Sequence, residues 1–424
     1  MRFSIFTPTH DTTHLVETYE SLLAQTHRDW EWVVVLNSGA KLPAQLDDTR
    51  IHVVDIPKWM AQLGVGALKR YACGHCDGAY LVEVDHDDML VPTALEKIAT
   101  AIEVHDPDFI FSDAAQFRSN GEFQLFGKEY GWEHYSQRAG DKVYQVNRSF
   151  PVDASSLRAI FYAPDHVRVW RLATYRMLDG HDASLAVCDD YDLVCRTYLS
   201  GAKFHHIPEC LYLYRIREDG NNTWLKRNAE IQSKQQEVSN RYIYPLVYEW
   251  CRRNDLTKLD LGGATGCPEG FVAADLKNGI DLRKKWPFAD SSIGCIRAHD
   301  FLEHVPHCRD SACTHQPPYC TVGVMNEIYR VLVPGGWLLS ATPSTDGRGA
   351  FQDPTHCSFW NPNSFWYYTR QQQRQYVPGI TGRFQGARIW QEHPSEWHKA
   401  HAILYVYADL VALKGQRQPG ICEV

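Results

Sequence analysis

An apolar, strand-like run followed by an amphipathic, helix-like stretch recurs through the first hundred residues. This alternation restricts the fold more than any other feature of the chain. The strand-like runs are Arg2–Phe6, Trp32–Leu36, Ile51–Ile56 and Tyr80–Val84, the middle two reading as buried. Between them, Thr12 or Thr13 would cap a helix whose apolar face is Leu15, Val16, Tyr19, Leu22 and Leu23. Trp59–His75 reads as a second helix and Pro92–His105 as a third, with Pro92 suited to a first turn. Strands alternating with helices predict a mostly parallel, twisted α/β sheet. Ligands of such a sheet sit beyond the carboxyl ends of its strands. There the fourth run ends in "AYLVEVDHDDMLVP", which delivers Asp85, Asp87 and Asp88.

The rhythm starts afresh at Lys258 with "KLDLGGATG". A chain of 424 residues exceeds what one hydrophobic core usually supports, so two domains are expected. The predicted division is 1–227, a connecting helical segment 228–257, a second domain 258–413 and a frayed tail 414–424. A net charge of −8 gives no general attraction to nucleic acid or anionic lipid. No apolar run reaches the roughly 18–20 residues of a membrane span. "MRFSIFTPTHD" lacks the regions of a signal peptide, and thirteen scattered cysteines fit a reducing compartment, so a cytoplasmic location is expected. The cysteines of "CGHC", Cys73 and Cys76, read as packing residues of a helix.

Asp85 and Asp87 stand two apart at a strand end, so both carboxylates can point to one side. Mg²⁺ or Mn²⁺ takes oxygen ligands, often one or two carboxylates plus substrate phosphates. Such an ion would offset the repulsion and neutralise a diphosphate leaving group. Spacing alone equally allows a solvated turn ahead of a helix. The surrounding motifs favour the ion. "FSIFTPTHD", "ESLLAQTHRDWEWVVVLNSGA", "LKRYACGHCDGAYLVEVDHDD" and "LDGHDASLAVCDDYDLVCRTYLSGAKFHHIPECLYLYRIREDGNNT" together resemble glycosyltransferase family 2 over most of residues 2–225.

That resemblance implies the GT-A fold and a nucleotide-diphosphate sugar donor, commonly a UDP-sugar. Asp85 and Asp87 would take the place of the Asp-x-Asp motif that touches ribose and metal. Pro8 and Thr9 would line the base pocket, and Arg70 would lie near the ribose or diphosphate. Asp190 in "CDDYDL" aligns with the general base, with Asp189 the competitor should the alignment slip by one. A carboxylate beside the acceptor hydroxyl takes its proton during attack at the anomeric carbon, and one displacement inverts that centre. The plainer reading of Asp189, Asp190 and Asp192 is negative charge at a helix N-terminus. Where many relatives carry an acidic pair, this chain has Leu36-Asn37; the Asn37 amide still suits a base edge, and the uridine preference stays open. Arg215 and Arg217 suit donor phosphates, or else pair with surface acids. Asp165 and His166 are candidate acceptor or metal contacts.

In the second half, "KLDLGGATGCPEGFVAADL", "WPFADSSIGCIRAHDFLEHV" and "MNEIYRVLVPGGWLLSATP" resemble class I S-adenosylmethionine-dependent methyltransferases. The resemblance implies a compact Rossmann-like domain with Gly262, Gly266 and Asp275 as candidate cofactor contacts. Only thirteen positions separate Gly262 from Asp275, against about twenty in dinucleotide-binding folds, so the intervening helix is expected to be short or missing. A degenerate domain kept for packing, dimerisation or acceptor docking is favoured over one that binds the cofactor. His307, Cys308, Cys313, His315 and Cys320, close behind His304, form a candidate structural zinc site, although they lack the paired spacing of common zinc modules.

The expected function is a metal-dependent inverting sugar transferase working in glycan or polysaccharide assembly. Alternatives are a bifunctional glycosyl- and methyltransferase, a transferase acting on a hydroxylated DNA base, and a non-catalytic nucleotide-sugar-binding protein. Arg168, Arg171 and Arg176 keep a nucleic-acid acceptor in play against the net acidity. A nucleotidyltransferase is disfavoured, for want of a Gly-rich basic loop after the first strand.

Overall fold

Every residue of β1 (Phe3–Thr9) except Pro8 is buried, so neighbours cover both faces of the strand, as in parallel sheets flanked by helices. It lies between β2 (Trp30–Leu36) and β4 (Tyr80–Glu83), parallel to both, with Phe3 opposite Trp30 on one side and Tyr80 on the other. The computed structural model describes residues 1–424 except 221, 264, 309–313 and 317 and the side chain of Ala61. They fall into two units, Met1–Leu246 and Val247–Val424. The division lies within a helix, Asn228–Arg253, inside the segment expected to connect two domains.

The first unit is a mixed α/β fold on one large sheet. β3 (Ile51–Asp55) extends its parallel part in the order β3-β2-β1-β4. The remaining strands are β5 (Met89–Leu90), β6 (Phe109–Arg118), β7 (Phe123–Gln124), β8 (Glu133–Ala139), β9 (Lys142–Arg148), β10 (Arg168–Arg171) and β11 (Phe204–Ile216). The sheet continues β4-β10-β6-β11-β5, with β10 antiparallel to both neighbours. A ribbon of β8 and β9 joins at β6. The main core gathers Phe3, Ile5, Trp32, Val34, Val82 and Ile98 under the helices Leu15–Leu23 and Ala94–His105.

Three local expectations are corrected. β3 is an edge strand and largely exposed, because it pairs on one side only. The long helix expected over Trp59–His75 is a short 3₁₀ turn, Lys58–Gln62, and a separate helix, Val65–Gly74. Gly64 separates them where the chain presses on Ala186: a Cβ there would lie 2.3 Å from the Ala186 Cα. Neither Thr12 nor Thr13 caps the first helix; His14 holds the cap position, and Thr13 instead bonds Asp11.

The second unit carries β12 (Thr257–Leu261), β13 (Val272–Ala274), β14 (Ile293–His299), β15 (Leu332–Pro343), β16 (Phe384–Glu392) and β17 (Tyr405–Ala412). Their order is β13-β12-β14-β15-β17-β16, parallel through β15, with β17 antiparallel to both neighbours. Among the described residues no α-helix joins β12 to β13, in keeping with the short spacing. The end of the chain is tied down rather than frayed. Gln385 Nε2 donates to the carbonyls of Pro419 at 2.9 Å and Ile421 at 3.1 Å, and Gln371 N–H donates to the Glu423 carbonyl at 2.9 Å.

Candidate active site

β4 ends in Glu83, and directly opposite it across the antiparallel pairing stands Arg168 of β10. Both side chains are almost fully buried. Lys69, from the Val65–Gly74 helix, reaches Glu83 Oε1 at 2.5 Å and Asp189 Oδ2 at 3.6 Å. Arg168 forms an ion pair with Asp190 and lies 3.6 Å from Glu83 Oε2. Two cations and three carboxylates thus interlock behind the aspartate loop. A buried charge needs such partners, since desolvation otherwise expels it.

Asp189 and Asp190 open the helix Asp189–Leu199, where backbone N–H groups favour negative charge. Their environments differ. Burial pushes the Asp189 carboxyl up to about 7, with Lys69 opposing and Asp190 and Glu83 adding to the rise. Burial acts on Asp190 too, but the charges of Arg168 and Lys69 outweigh it and hold that carboxyl well below the usual range. The Asp190 side chain keeps 22% of its surface exposed against 3% for Asp189, so of the two only Asp190 is open to solvent.

Pro8 and Thr9 end β1, Asn37 follows β2, and Asp85 and Asp87 follow β4, so the expected donor contacts gather at the carboxyl ends of three adjacent parallel strands. The Asn37 N–H donates to the Thr9 carbonyl at 2.8 Å, joining the first two strand ends. Among the described residues the Asp85 carboxylate accepts no hydrogen bond, and Asp87 Oδ2 lies 3.8 Å from Arg217. Asp88 is spent on the fold. Its carboxylate accepts from the Tyr212 hydroxyl at 2.8 Å and the Arg215 N–H at 2.7 Å. Tyr212 also accepts the Asp85 N–H at 3.1 Å and stacks on His166, with ring centroids 4.7 Å apart.

His166 and Asp165 are buried beside this loop. Asp165 Oδ2 and His166 Nδ1 lack partners among the described residues. Burial pushes Asp165 up to about 6; burial and the Arg168 charge push His166 down to about 4, leaving a neutral imidazole at neutral pH. Arg215 and Arg217 are engaged by carboxylates: Arg215 with Glu17 at 2.5 Å, Arg217 with Asp11 and Asp219 at 2.7 Å each. Arg70 points elsewhere, pairing with Asp179 on an exposed face.

Lys69, Glu83 and His181, which lies 3.8 Å from Asp189, were not visible as site residues in the sequence, and Arg168 stood out there only as a basic residue near the acceptor side. A signal existed for Lys69. It falls on the helical stripe Lys69, Ala72, Cys73 and Cys76, all buried, one position from the arginine that drew attention.

In the second unit, Gly262 and Gly266 adopt left-handed backbone after β12, and Asp275 follows β13. The Asp275 carboxylate is taken by the Lys277 N–H at 2.8 Å. Of the cysteine and histidine group, Cys308, His315 and Cys320 converge, their ligand atoms within 4.8 Å of one another. His307 instead accepts the Phe359 N–H through Nε2 at 3.1 Å, and Cys313 lies outside the described residues.

Residues 4–162 match the model of Glycosyl transferase family 2. An uncharacterized glycosyltransferase of Methanocaldococcus jannaschii is 28% identical over 221 residues, covering 49% of this chain and 68% of that relative. Glycosyltransferase GlyG of Streptococcus pneumoniae is 23% identical over 248 residues, 54% of this chain and 78% of the relative. The protein is a transferase of the glycosyltransferase kind. Chondroitin synthase of Escherichia coli matches 61% of this chain at 25% identity, but over only 35% of its own length. Among solved structures, S. aureus TarS 1–349 in complex with UDP-GlcNAc aligns with a TM-score of 0.41 at 16% identity, over 60% of this chain and 75% of that one.

Proposed function

We propose that the first unit moves a sugar from a nucleotide-diphosphate sugar, with UDP as the nucleotide, to an acceptor hydroxyl with inversion, in glycan or polysaccharide assembly. The carrying observation is the placement of the open Asp85 carboxylate at the end of β4, and of the partly exposed Asp190 across Arg168 from that same strand. Asp85 and Asp87 offer the hard oxygen donors that Mn²⁺ or Mg²⁺ prefers, and both belong to one short loop, so the residues fit such an ion. When bound, it would supply positive charge for the departing diphosphate. Asp190 Oδ takes the proton of the acceptor hydroxyl as that oxygen attacks. Arg168 fixes the direction of the carboxylate, and Glu83 and Lys69 fix Arg168 and the helix start behind it. Pro8, Thr9 and Asn37 supply the wall and the amide that a nucleobase would meet.

Asp190→Asn is expected to lower kcat by at least about a hundredfold, in the range of a lost general base, with donor binding nearly unchanged. Turnover retained in that variant rejects the assignment.

A methyltransferase-type reading of the second unit is favoured by one observation. The sheet order reverses between β12 and β14, and the left-handed Gly262 lies at that switch point, where α/β sheets bind ligands. Against cofactor use stands the Asp275 carboxylate, already committed to its own backbone turn. Calorimetric titration with S-adenosylmethionine separates the two: micromolar binding supports a bifunctional enzyme, and no heat leaves a domain kept for packing or acceptor docking. A structural zinc on Cys308, His315 and Cys320 is compatible with their convergence.

A further inference from the structure

A second group of metal-ligating side chains lies at the carboxyl edge of the β14–β15 pair. Glu303 and His304 sit on a short 3₁₀ turn after β14, and His356 on the loop that follows the short helix Gly349–Gln352 beyond β15. One ligand atom from each lies within 4.8 Å of the other two. Glu303 is 2% exposed, yet its Oε1 has no hydrogen-bond partner among the described residues. A polar oxygen taken out of water and left without a partner is costly, so such an atom calls for a cation or a donor.

The surroundings hold all three side chains by their other atoms. Glu303 Oε2 accepts from the Thr342 hydroxyl at 2.6 Å, which leaves Oε1 free to point away. His356 Nδ1 lies 3.0 Å from the Ala350 carbonyl. His304 Nδ1 lies 3.2 Å from the Thr355 hydroxyl oxygen, whose own hydrogen goes to Asp353. These acceptors place the ring proton on Nδ1 of both histidines and the lone pair on Nε2. Metal-binding imidazoles are oriented in this way, by a hydrogen bond from the nitrogen that does not bind. The two segments are also fastened together: the N–H groups of Cys357 and Ser358 donate to the Glu303 carbonyl at 2.8 and 3.0 Å.

We propose that Glu303, His304 and His356 bind a divalent first-row transition-metal ion. Two imidazoles and one carboxylate form a donor set for such ions, and three protein ligands leave positions for water or a substrate oxygen. His304 is exposed, so those positions open to solvent. Its ligands belong to the second unit, whereas Asp85 and Asp87 belong to the first, and they share no residue with the group of Cys308, His315 and Cys320.

The test uses the full chain, stripped of metal with a chelator and titrated with Co²⁺, whose visible absorption reports nitrogen and oxygen ligation and whose near-ultraviolet charge-transfer band reports cysteine sulfur. The unaltered chain is expected to take up one equivalent without a sulfur band that His304→Ala and His356→Ala do not. Thr342→Val, which removes only the hydroxyl orienting Glu303, is expected to weaken that uptake by about tenfold. His304→Ala changes an exposed side chain, and its circular dichroism and melting curve establish that it is folded. Equal Co²⁺ uptake, at equal affinity, by the unaltered chain and folded His304→Ala and His356→Ala overturns the proposal. Loss of uptake only in Asp85→Asn or Cys320→Ser overturns it as well.

Discussion

Asp189 and Asp190 are neighbours in sequence with opposite electrostatic fates, and the contrast has a measurable consequence. Asp189 is raised to about 7, first by burial, whereas an ordinary aspartate titrates near 3.8. The folded state therefore holds that proton more tightly than the unfolded chain does. The stabilisation from this group is full below the unfolded value and is lost as pH rises through 7. Asp190 has the opposite sign, contributing stability above the ordinary carboxylate range that is lost only under acid conditions. Asp189→Asn removes the first effect and leaves the second. Between about pH 5 and pH 8, the melting temperature of the unaltered protein is expected to fall relative to that variant. Parallel melting curves across that window reject the assignment. Composition alone shows none of this, because two adjacent aspartates look alike until Lys69 and Arg168 are placed beside them.

The Val65–Gly74 helix brings Lys69 to the site because Gly66 lets it come close to the chain leading into the Asp189–Leu199 helix. A Cβ at Gly66 would meet the Asp182 carbonyl at 2.3 Å, the Leu185 carbonyl at 2.9 Å and the Asp189 Cβ at 3.0 Å. Two of these are backbone atoms, which do not give way by a rotamer change. Gly66→Ala is expected to cost about 1–3 kcal/mol of stability by overpacking. It should also lower kcat, since it separates Lys69 from Asp189; chemical denaturation together with turnover measures both. Unchanged kcat in a destabilised variant would mean that the Lys69 contact is structural only. The strand–helix alternation, β4 and its aspartates were legible in the sequence, because periodicity and punctuation by Asp and Pro are local signals. The insertion of β10 between β4 and β6 was not. It pairs residues some 85 positions apart, Glu83 with Arg168, and nothing in the run "RVWR" announces an antiparallel strand in a largely parallel sheet.

At the scale of the whole chain, the proposed donor site belongs to Met1–Leu246, and the further metal site to Val247–Val424. Ligands that bind only the native state raise its stability by mass action, about 2.7 kcal/mol at a hundredfold excess over Kd. UDP with Mn²⁺ is accordingly expected to raise the melting transition of the first unit and leave that of the second in place, as followed by calorimetry. Asp85→Asn and Asp87→Asn should abolish the shift. A shift confined to the second transition would move the nucleotide away from the Asp-x-Asp loop.

Read alone, the sequence determined two α/β halves and the acidic motif that follows β4. These follow from local hydrophobic period and from residue types with narrow uses. Tertiary structure decided which charges face one another. Lys69 rather than Arg70 enters the site, Asp88 braces the loop, Arg215 and Arg217 are held by acids, and Glu303 and its neighbour His304 meet the distant His356. The physical reason is that burial and partnership set the behaviour of a charged group, and both depend on segments far apart in the chain.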